Sequence, residues 1–172
     1  DAYAGLWRDL AGVRRCITFG DKKMGADVYS TQADWQGSAW QVRIATPQGT
    51  LACTLSIAGR HNVSNALAAT ACALAAGVPL SAIADGLAAF APVKGRSRAF
   101  GVQHAGHQIT VVDDSYNANP DSMHAAIAVL AELPAPRLLV MGDLGEVGDH
   151  GPQVQADHGS HGRRAGLCHS RI

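Results

Sequence analysis

The sequence predicts an α/β protein made of two parts that succeed one another along the chain. Residues 26–58 alternate apolar and polar side chains, as at Trp40, Val42 and Ile44, which is typical of antiparallel strands with one buried face. Apolar residues at helical spacing come next. A β-branched run, a polar loop and another helix then succeed each other in the order that parallel α/β domains use.

The composition is that of a folded chain without a strong charge preference. Apolar residues make up 47% of the 172 residues, charged residues 16%, and the formal net charge is zero. No basic excess is available to neutralise a phosphate backbone, so we predict no nucleic-acid partner. The longest apolar stretch, residues 66–78, is too short to span a bilayer, and we predict no membrane insertion. The cysteines form no CxxC pair and the N-terminus is not signal-like, so we expect reduced thiols and a cytoplasmic location.

The first predicted domain covers residues 1–96 and ends in a linker. Its elements, in order, are the end of a helix (1–10), a strand (13–19), the antiparallel unit (26–58), an interior helix (62–76) and a helix with apolar residues at 80, 83, 87 and 90. Gly77 and Pro79 end the interior helix in the usual C-terminal manner. The Pro- and Gly-containing run at residues 91–96 separates these elements from the second half of the chain.

The second predicted domain covers residues 97–148 and begins a parallel α/β arrangement. It contains a hairpin (99–104 and 108–113), a polar loop, a helix (120–133) and a buried strand (137–141). One strand–helix–strand unit cannot cover both of its faces, so we expect this domain to be unfinished. Residues 149–172 have little apolar periodicity, and we predict no regular structure for this aberrant or disordered tail.

A pair of amides lies at the start of the interior helix. Asn62 and Asn65 are three positions apart, so their side chains share one helix face near the unpaired N–H groups. An amide offers both a donor and an acceptor, which suits the edge of an adenine. The same two residues could instead cap the helix, and spacing alone favours capping.

Charged groups lie in the linker and at the end of the hairpin. Arg96 comes after the flexible Gly95, a combination that suits phosphate binding, although basic residues in a linker usually stay solvated. Asp113 and Asp114 end a strand. A carboxylate there accepts bonds from ribose hydroxyls, joins a metal shell or caps the next turn.

Other polar residues give weaker indications. Asn119 precedes a proline at a helix start and is predicted as its N-cap, while Asn117 suits either a ligand or a turn. Asp143 and Glu146 are weak metal candidates in a Gly-rich loop, and the His-rich tail matches no tight zinc template, so no metal site is predicted. No Gly-x-x-x-x-Gly-Lys-[Ser/Thr] loop occurs in the 172 residues.

Three motifs, in order along the chain, resemble those of the Mur ligases. They are Gly-Arg-His-Asn-Val-Ser-Asn-Ala-Leu-Ala-Ala at 59–69, Pro-Val-Lys-Gly-Arg at 92–96 and Asp-Asp-Ser-Tyr-Asn-Ala-Asn-Pro-Asp-Ser-Met at 113–123. The loop Met-Gly-Asp-Leu-Gly-Glu-Val-Gly at 141–148 looks like the same family. The similarity runs from residue 1 to about residue 152, and the tail beyond departs from the family pattern.

The resemblance implies a three-domain architecture: an N-terminal UDP-sugar domain, a central P-loop ATPase and a C-terminal Rossmann-like domain. Residues 1–96 would be the last part of the central domain, and residues 97–148 the start of the C-terminal one. The implied cofactors are ATP and Mg2+. The P-loop lysine, the magnesium carboxylate and the carbamylated lysine of the family are expected upstream of this chain. We therefore expect these 172 residues to be inactive by themselves.

The resemblance also assigns roles to individual residues. It implies ATP contacts for Asn62 and Asn65 at the adenine, Arg96 at the phosphates and Asp114 at the ribose. It implies a substrate-facing loop that contains Tyr116, Asn117 and Asn119.

Within the family, the Tyr-Asn-Ala-Asn-Pro-Asp form of the third motif indicates the branch that joins D-alanyl-D-alanine to UDP-N-acetylmuramoyl-tripeptide through an acyl phosphate. We expect a monomer for the complete enzyme. The alternatives are a nucleotide-binding module without catalysis, another Mur ligase and a relative of folylpolyglutamate synthetase.

Overall fold

The computed structural model describes residues 3–20, 22–117, 119–133 and 135–142, together with the backbone of residues 168–171. The chain forms two compact units. The first comprises Asp1–Ser56 and Asn62–Ala91, and the second comprises Ile57–His61 and Pro92–Ile172. Domain boundaries at residues 96 and 148 stay predictions.

A three-stranded antiparallel sheet forms the centre of the first unit. Its strands, in spatial order, are β1 (Tyr29–Trp35), β2 (Trp40–Thr46) and β3 (Gly49–Leu55). Trp40 pairs with Leu55 and Ile44 with Leu51 across β2 and β3. These four residues are buried. The predicted antiparallel unit is confirmed, and its period-two pattern marks the buried face as expected.

Three helices accompany this sheet: α1 (Ala4–Ala11), α2 (Arg60–Ala75) and α3 (Leu80–Ala89). They confirm the three helices predicted at residues 1–10, at 62–76 and around residues 80–90. α2 buries six side chains, and inside it the Thr70 hydroxyl donates to the carbonyl of Ala66 at 2.8 Å. α3 packs on β3, where the Leu80 side chain approaches Gly49.

The strand predicted at residues 13–19 is wrong for most of its length. Within the described residues, this segment forms one isolated parallel bridge, between Phe19 and Val28. The amide of Thr18 donates to the Asp27 carboxylate at 2.7 Å instead of to a neighbouring strand. The local β-branched pattern is real, but a side-chain acceptor satisfies the backbone donor that a ladder would use.

The second unit begins with an antiparallel hairpin of β4 (Arg98–His104) and β5 (His107–Asp113). Its two turn residues, Ala105 and Gly106, have φ of 48° and 80°, the signs that a type I′ turn requires. The predicted hairpin is confirmed.

A helix and a parallel strand pair complete the second unit. α4 (Pro120–Glu132) and β6 (Leu138–Met141) share a small apolar core of Ile127, Leu139 and Met141. α4 confirms the predicted helix. β6 confirms the predicted strand but not its full burial, because Leu138 and Val140 are exposed. Parallel pairing occurs between β6 and β7 (Cys168–Arg171), whereas β5 pairs with β4 alone among the described strands.

Strand β7 lies in the stretch for which the sequence predicts no regular structure. Its backbone pairs with β6, which lies about 30 residues earlier in the chain. The apolar pattern of the tail alone does not indicate this pairing. Asp143, Glu146 and the histidines between them and β7 lie outside the described residues, so the expectation that they hold no metal stays a prediction. Among the helices that the structure describes, none combines the length and the apolar character needed to cross a membrane.

Candidate functional site

The register of the second hairpin brings two loops together. Arg98 pairs with Asp113, so the residues just before β4 lie beside those just after β5. We call residues 95–97 and 113–116 the paired loops. The Tyr116 amide donates to the Gly95 carbonyl at 3.0 Å, which joins the loops through their backbones. Local strand pairing therefore positions the residues that carry the Arg96, Asp114 and Tyr116 side chains.

Asp114 fixes the backbone of the opposite loop. Its Oδ1 accepts from the Ser97 amide at 2.9 Å and from the Ser97 hydroxyl at 3.3 Å. Ser97 has a φ of 49°, a conformation that a non-glycine residue adopts rarely and that these two bonds help to hold. Within the described residues, the second oxygen of this exposed carboxylate accepts no hydrogen bond. It is available for an external donor.

Asp113 has a structural role. Its carboxylate accepts from the Ser115 hydroxyl at 2.6 Å, from the Ser115 amide at 3.2 Å and from the Gly95 amide at 3.2 Å. The hydrogen bond from the Ser115 hydroxyl is the main reason that the pKa of Asp113 is below its ordinary value. The two amides and the charge of Lys94 lower this pKa further. Of the three roles that the sequence leaves open for this residue, the turn cap is the one observed.

Arg96 lies on the face of an aromatic ring. Its guanidinium carbon is 4.0 Å from the centroid of the Tyr116 ring, well inside the range of a cation–π contact. Both side chains are exposed. Among the described residues, the guanidinium forms no hydrogen bond and no ion pair, so all of its N–H donors remain available.

Asn119 caps α4. Its Oδ1 accepts from the Ser122 amide at 2.8 Å, and the Ser122 hydroxyl accepts from the Asn119 amide at 2.9 Å, which is a reciprocal capping box. Pro120 occupies the first helical position. The predicted N-cap is confirmed, and a substrate-facing role for its side-chain amide nitrogen stays a prediction. Asn117 is exposed in the same loop.

Asn62 and Asn65 contact each other in the first unit. The Asn65 side-chain amide donates to Asn62 Oδ1 at 2.9 Å. Because α2 begins at Arg60, both residues lie inside the helix and neither is at the N-cap position. The Asn65 Oδ1 accepts no hydrogen bond among the described residues, which leaves an acceptor for an exocyclic amine.

The structure thus brings together Arg96, Asp114 and Tyr116 in one unit and pairs the two asparagines in the other. That both groups face one nucleotide stays a prediction. The residues that sequence reasoning passed over are Ser97 and Ser115. An Asp-x-Ser spacing at 113–115 is typical of a side-chain-capped turn and could have indicated Ser115. Within the described residues, no three metal-ligating side chains lie close enough to hold an ion.

Two family models match the chain. Residues 1–73 match the Mur ligase middle domain, and residues 95–169 match the glutamate ligase domain of Mur ligases. The chain therefore belongs to the Mur ligase family. From the motifs alone, the resemblance to the family was expected to end near residue 152. The second match continues to residue 169, which corrects that expectation for residues 153–169.

Individual relatives point to one branch of the family. The UDP-N-acetylmuramoyl-tripeptide–D-alanyl-D-alanine ligase of Escherichia coli K12 is 37% identical over 161 residues, which are 94% of this chain and 35% of that protein. A crystal structure of MurF from Acinetobacter baumannii is 38% identical with a TM-score of 0.79, over 97% of this chain and 35% of that one. This likeness confirms the predicted α/β fold class.

A sibling enzyme is also similar. The UDP-N-acetylmuramoyl-L-alanyl-D-glutamate–2,6-diaminopimelate ligase of Geobacillus thermodenitrificans is 35% identical over 125 residues, 73% of this chain and 24% of that protein. The chain spans about a third of the length of the first curated relative, and less of the sibling.

Proposed function

We propose that this chain carries part of an ATP-dependent ligase that joins D-alanyl-D-alanine to UDP-N-acetylmuramoyl-tripeptide. The observation that carries the proposal is the Tyr-Asn-Ala-Asn-Pro-Asp loop after β5, in a chain 37% identical to a ligase with this substrate pair in its name. The product would be a precursor of peptidoglycan made in the cytoplasm. The complete enzyme would act as a monomer.

The residues of the second unit suit a nucleoside triphosphate. The unpaired guanidinium of Arg96 presents donors in the planar geometry that phosphate oxygens accept in pairs. The open oxygen of Asp114 suits a ribose hydroxyl, because a carboxylate at the end of a strand is a common acceptor for such groups. Asn62 and Asn65 would contact the adenine edge through the amide acceptor that their mutual bond leaves open.

The proposed reaction sets the demands on these groups. Transfer of the γ-phosphoryl group of ATP to the peptide carboxylate releases ADP and forms an acyl phosphate. The neutral amine of the dipeptide then attacks the carbonyl carbon of this acyl phosphate, which forms the amide bond and releases inorganic phosphate and a proton. The transfer needs positive charge beside the phosphates, which Arg96 would supply in part. Mg2+ would accompany the nucleotide, since this ion is usually held by phosphate oxygens and water with few protein ligands. The loop with Tyr116, Asn117 and Asn119 would orient the dipeptide.

A sibling ligase is the second candidate, because the 2,6-diaminopimelate ligase relative is nearly as similar in identity. The two candidates differ in the amine that attacks the acyl phosphate. A non-catalytic nucleotide-binding module and a folylpolyglutamate synthetase relative are less supported, since neither accounts for the Tyr-Asn-Ala-Asn-Pro-Asp loop.

The test is a comparison of amine acceptors. The complete protein that contains these residues is assayed for ADP release with UDP-N-acetylmuramoyl-tripeptide and D-alanyl-D-alanine. A parallel assay uses UDP-N-acetylmuramoyl-L-alanyl-D-glutamate and 2,6-diaminopimelate, the pair in the sibling's name. We expect turnover with the first pair and a rate at least about 100-fold lower with the second, because a site that hydrogen-bonds one substrate rejects the wrong one strongly. Preference for diaminopimelate would assign the sibling activity. ATP binding without turnover on any amine would favour the non-catalytic module.

A further inference from the structure

The stack of Arg96 on Tyr116 indicates how the guanidinium is held. Arginine has several rotatable bonds, and an exposed arginine samples many orientations unless something restrains it. Here the guanidinium carbon is 4.0 Å from the ring centroid, closer than the 5.9 Å of the Arg98–Phe100 pair in the neighbouring strand. Among the described residues, the Tyr116 ring is the group that restrains the orientation of the Arg96 guanidinium.

A ring restrains a guanidinium differently from a carboxylate. Stacking occupies the flat face of the group and leaves the N–H edges open, whereas an ion pair occupies the edges and neutralises the charge. The hydrogen bonds of the two carboxylates in the paired loops go to other groups: Asp113 accepts from Ser115 and Gly95, and one oxygen of Asp114 accepts from Ser97. Among the described residues Arg96 forms no ion pair, so its charge is not neutralised and its N–H donors stay available.

The loop backbone is shaped to permit this contact. Gly95 is buried with a φ of 78°, and a Cβ added there would lie 2.8 Å from the Tyr116 amide nitrogen and 3.0 Å from the Tyr116 Cβ. No real Cβ approaches a backbone nitrogen so closely. The absence of a side chain at residue 95 is thus what allows Tyr116 to lie beside the residue that carries the guanidinium.

We propose that Tyr116 is a positioning residue for Arg96, whose ring orients the guanidinium edge toward the phosphates of the nucleotide. This inference rests on the proposed function and changes the role of one residue within it. Tyr116 acts on the nucleotide through Arg96 by means of its ring, and its hydroxyl is not needed for that role. The substrate class concerned is the triphosphate rather than the dipeptide.

The test uses the KM values for ATP and for D-alanyl-D-alanine of the complete ligase. Tyr116→Leu removes the π face, and we expect KM for ATP to rise by roughly two- to five-fold, the range of an exposed cation–π contact, with KM for the dipeptide unchanged. Tyr116→Phe retains the ring and is expected to rescue KM for ATP. Because the Tyr116 side chain is 64% exposed, the leucine variant should fold. Phe100→Leu, which removes the looser Arg98 contact, is the matched control and should leave KM for ATP unchanged.

A double-mutant cycle shows whether Tyr116 acts through Arg96. In an Arg96→Leu background, Tyr116→Leu should produce no further rise in KM for ATP, since the group that it orients is gone. Additive effects of the two substitutions would overturn the proposal. A rise in KM for the dipeptide in Tyr116→Phe would also overturn the proposal, because it would mean that the hydroxyl contacts the dipeptide directly.

Failure of the proposed function gives a different result. If the unsubstituted protein shows no ATP turnover with any amine, the proposed ligase activity is wrong and the positioning role is overturned with it. If the unsubstituted ligase is active and Tyr116→Leu leaves KM for ATP unchanged, the function stands and the positioning role alone is wrong.

Discussion

The three-stranded sheet of the first unit and the paired loops of the second keep their shape by different means. In the sheet, Trp40, Val42 and Ile44 of β2 are removed from water. β2 pairs in unbroken register with β3 and, with a register shift between Ser30 and Gln32, with β1. In the paired loops, the side chains of Arg96, Asp114 and Tyr116 are exposed, and the conformation depends on carboxylates that accept from backbone amides. Burial of apolar area holds the first region, and directed hydrogen bonds hold the second.

This difference separates stability from function in the chain. A close-packed apolar face tolerates little change in volume and presents no polar group to a ligand. The paired loops bury almost no apolar side chain, yet they fix the backbone on both sides of an available guanidinium and an available carboxylate oxygen. Substitutions in the sheet should therefore lower the free energy of unfolding, and substitutions in the loops should change geometry first.

The largest expected effect is in the sheet. Ile44 is 0% exposed, and Ile44→Ala should lower the free energy of unfolding by about 2–5 kcal/mol, because lost transfer energy adds to the cost of a cavity. Arg43→Ala, one residue earlier on the same strand with an exposed side chain, is the control and should change it by less than about 0.5 kcal/mol. Urea unfolding monitored by tryptophan fluorescence measures both. Equal losses would contradict burial as the source of stability.

A smaller effect is expected in the paired loops. Gly95 and Gly106 have nearly the same φ, 78° and 80°, but a Cβ at Gly106 would meet nothing within 4 Å. Gly106→Ala should therefore cost only the left-handed backbone strain, about 1 kcal/mol. Gly95→Ala should cost about 2–3 kcal/mol, since the contact with Tyr116 adds a packing clash. The same unfolding measurement compares the two variants, and similar losses would mean that the approach of Tyr116 does not require glycine.

Local pattern was sufficient to predict the elements whose partners are near in sequence. The alternation in β2 and β3, the helical spacing in α2 and the Ala105–Gly106 turn between β4 and β5 each encode their own structure. Strand β7 was missed for the opposite reason, because its partner β6 lies about 30 residues earlier. The error at 13–19 has another cause: the Asp27 carboxylate accepts from the Thr18 amide, a backbone donor that a strand ladder would use.

The same limit applies to the candidate site. The family resemblance implied Arg96 and Asp114 as nucleotide ligands, which residue chemistry alone left open, and capping rules predicted the Asn119–Pro120 start of α4. Neither the stack of Arg96 on Tyr116 nor the bond from Ser97 to Asp114 could be predicted in this way. They arise from the register of the hairpin, which brings together two loops about 17 residues apart, and a register is a property of the folded pair.

The smallest expected effect compares one carboxylate from each unit. Asp27 in the first unit and Asp113 in the second both have a pKa held below the ordinary value, the former chiefly by the Thr18 amide and the latter chiefly by the Ser115 hydroxyl. A carboxyl whose folded pKa is depressed stabilises the fold above its unfolded pKa, and that contribution is lost as the pH falls through the folded value, here in the acid range below about pH 4.

Substitution of each hydroxyl should separate the two sites. Ser115→Ala removes the largest cause at Asp113, so its pKa should rise toward the ordinary value. Thr18→Ala leaves the amide that dominates at Asp27 in place, so that pKa should rise less. Titration of the carboxyl carbons by NMR measures both, and each variant is the control for the other carboxylate. A larger rise at Asp27 would mean that the hydroxyl matters more in the first unit than in the paired loops, the reverse of what the geometry predicts.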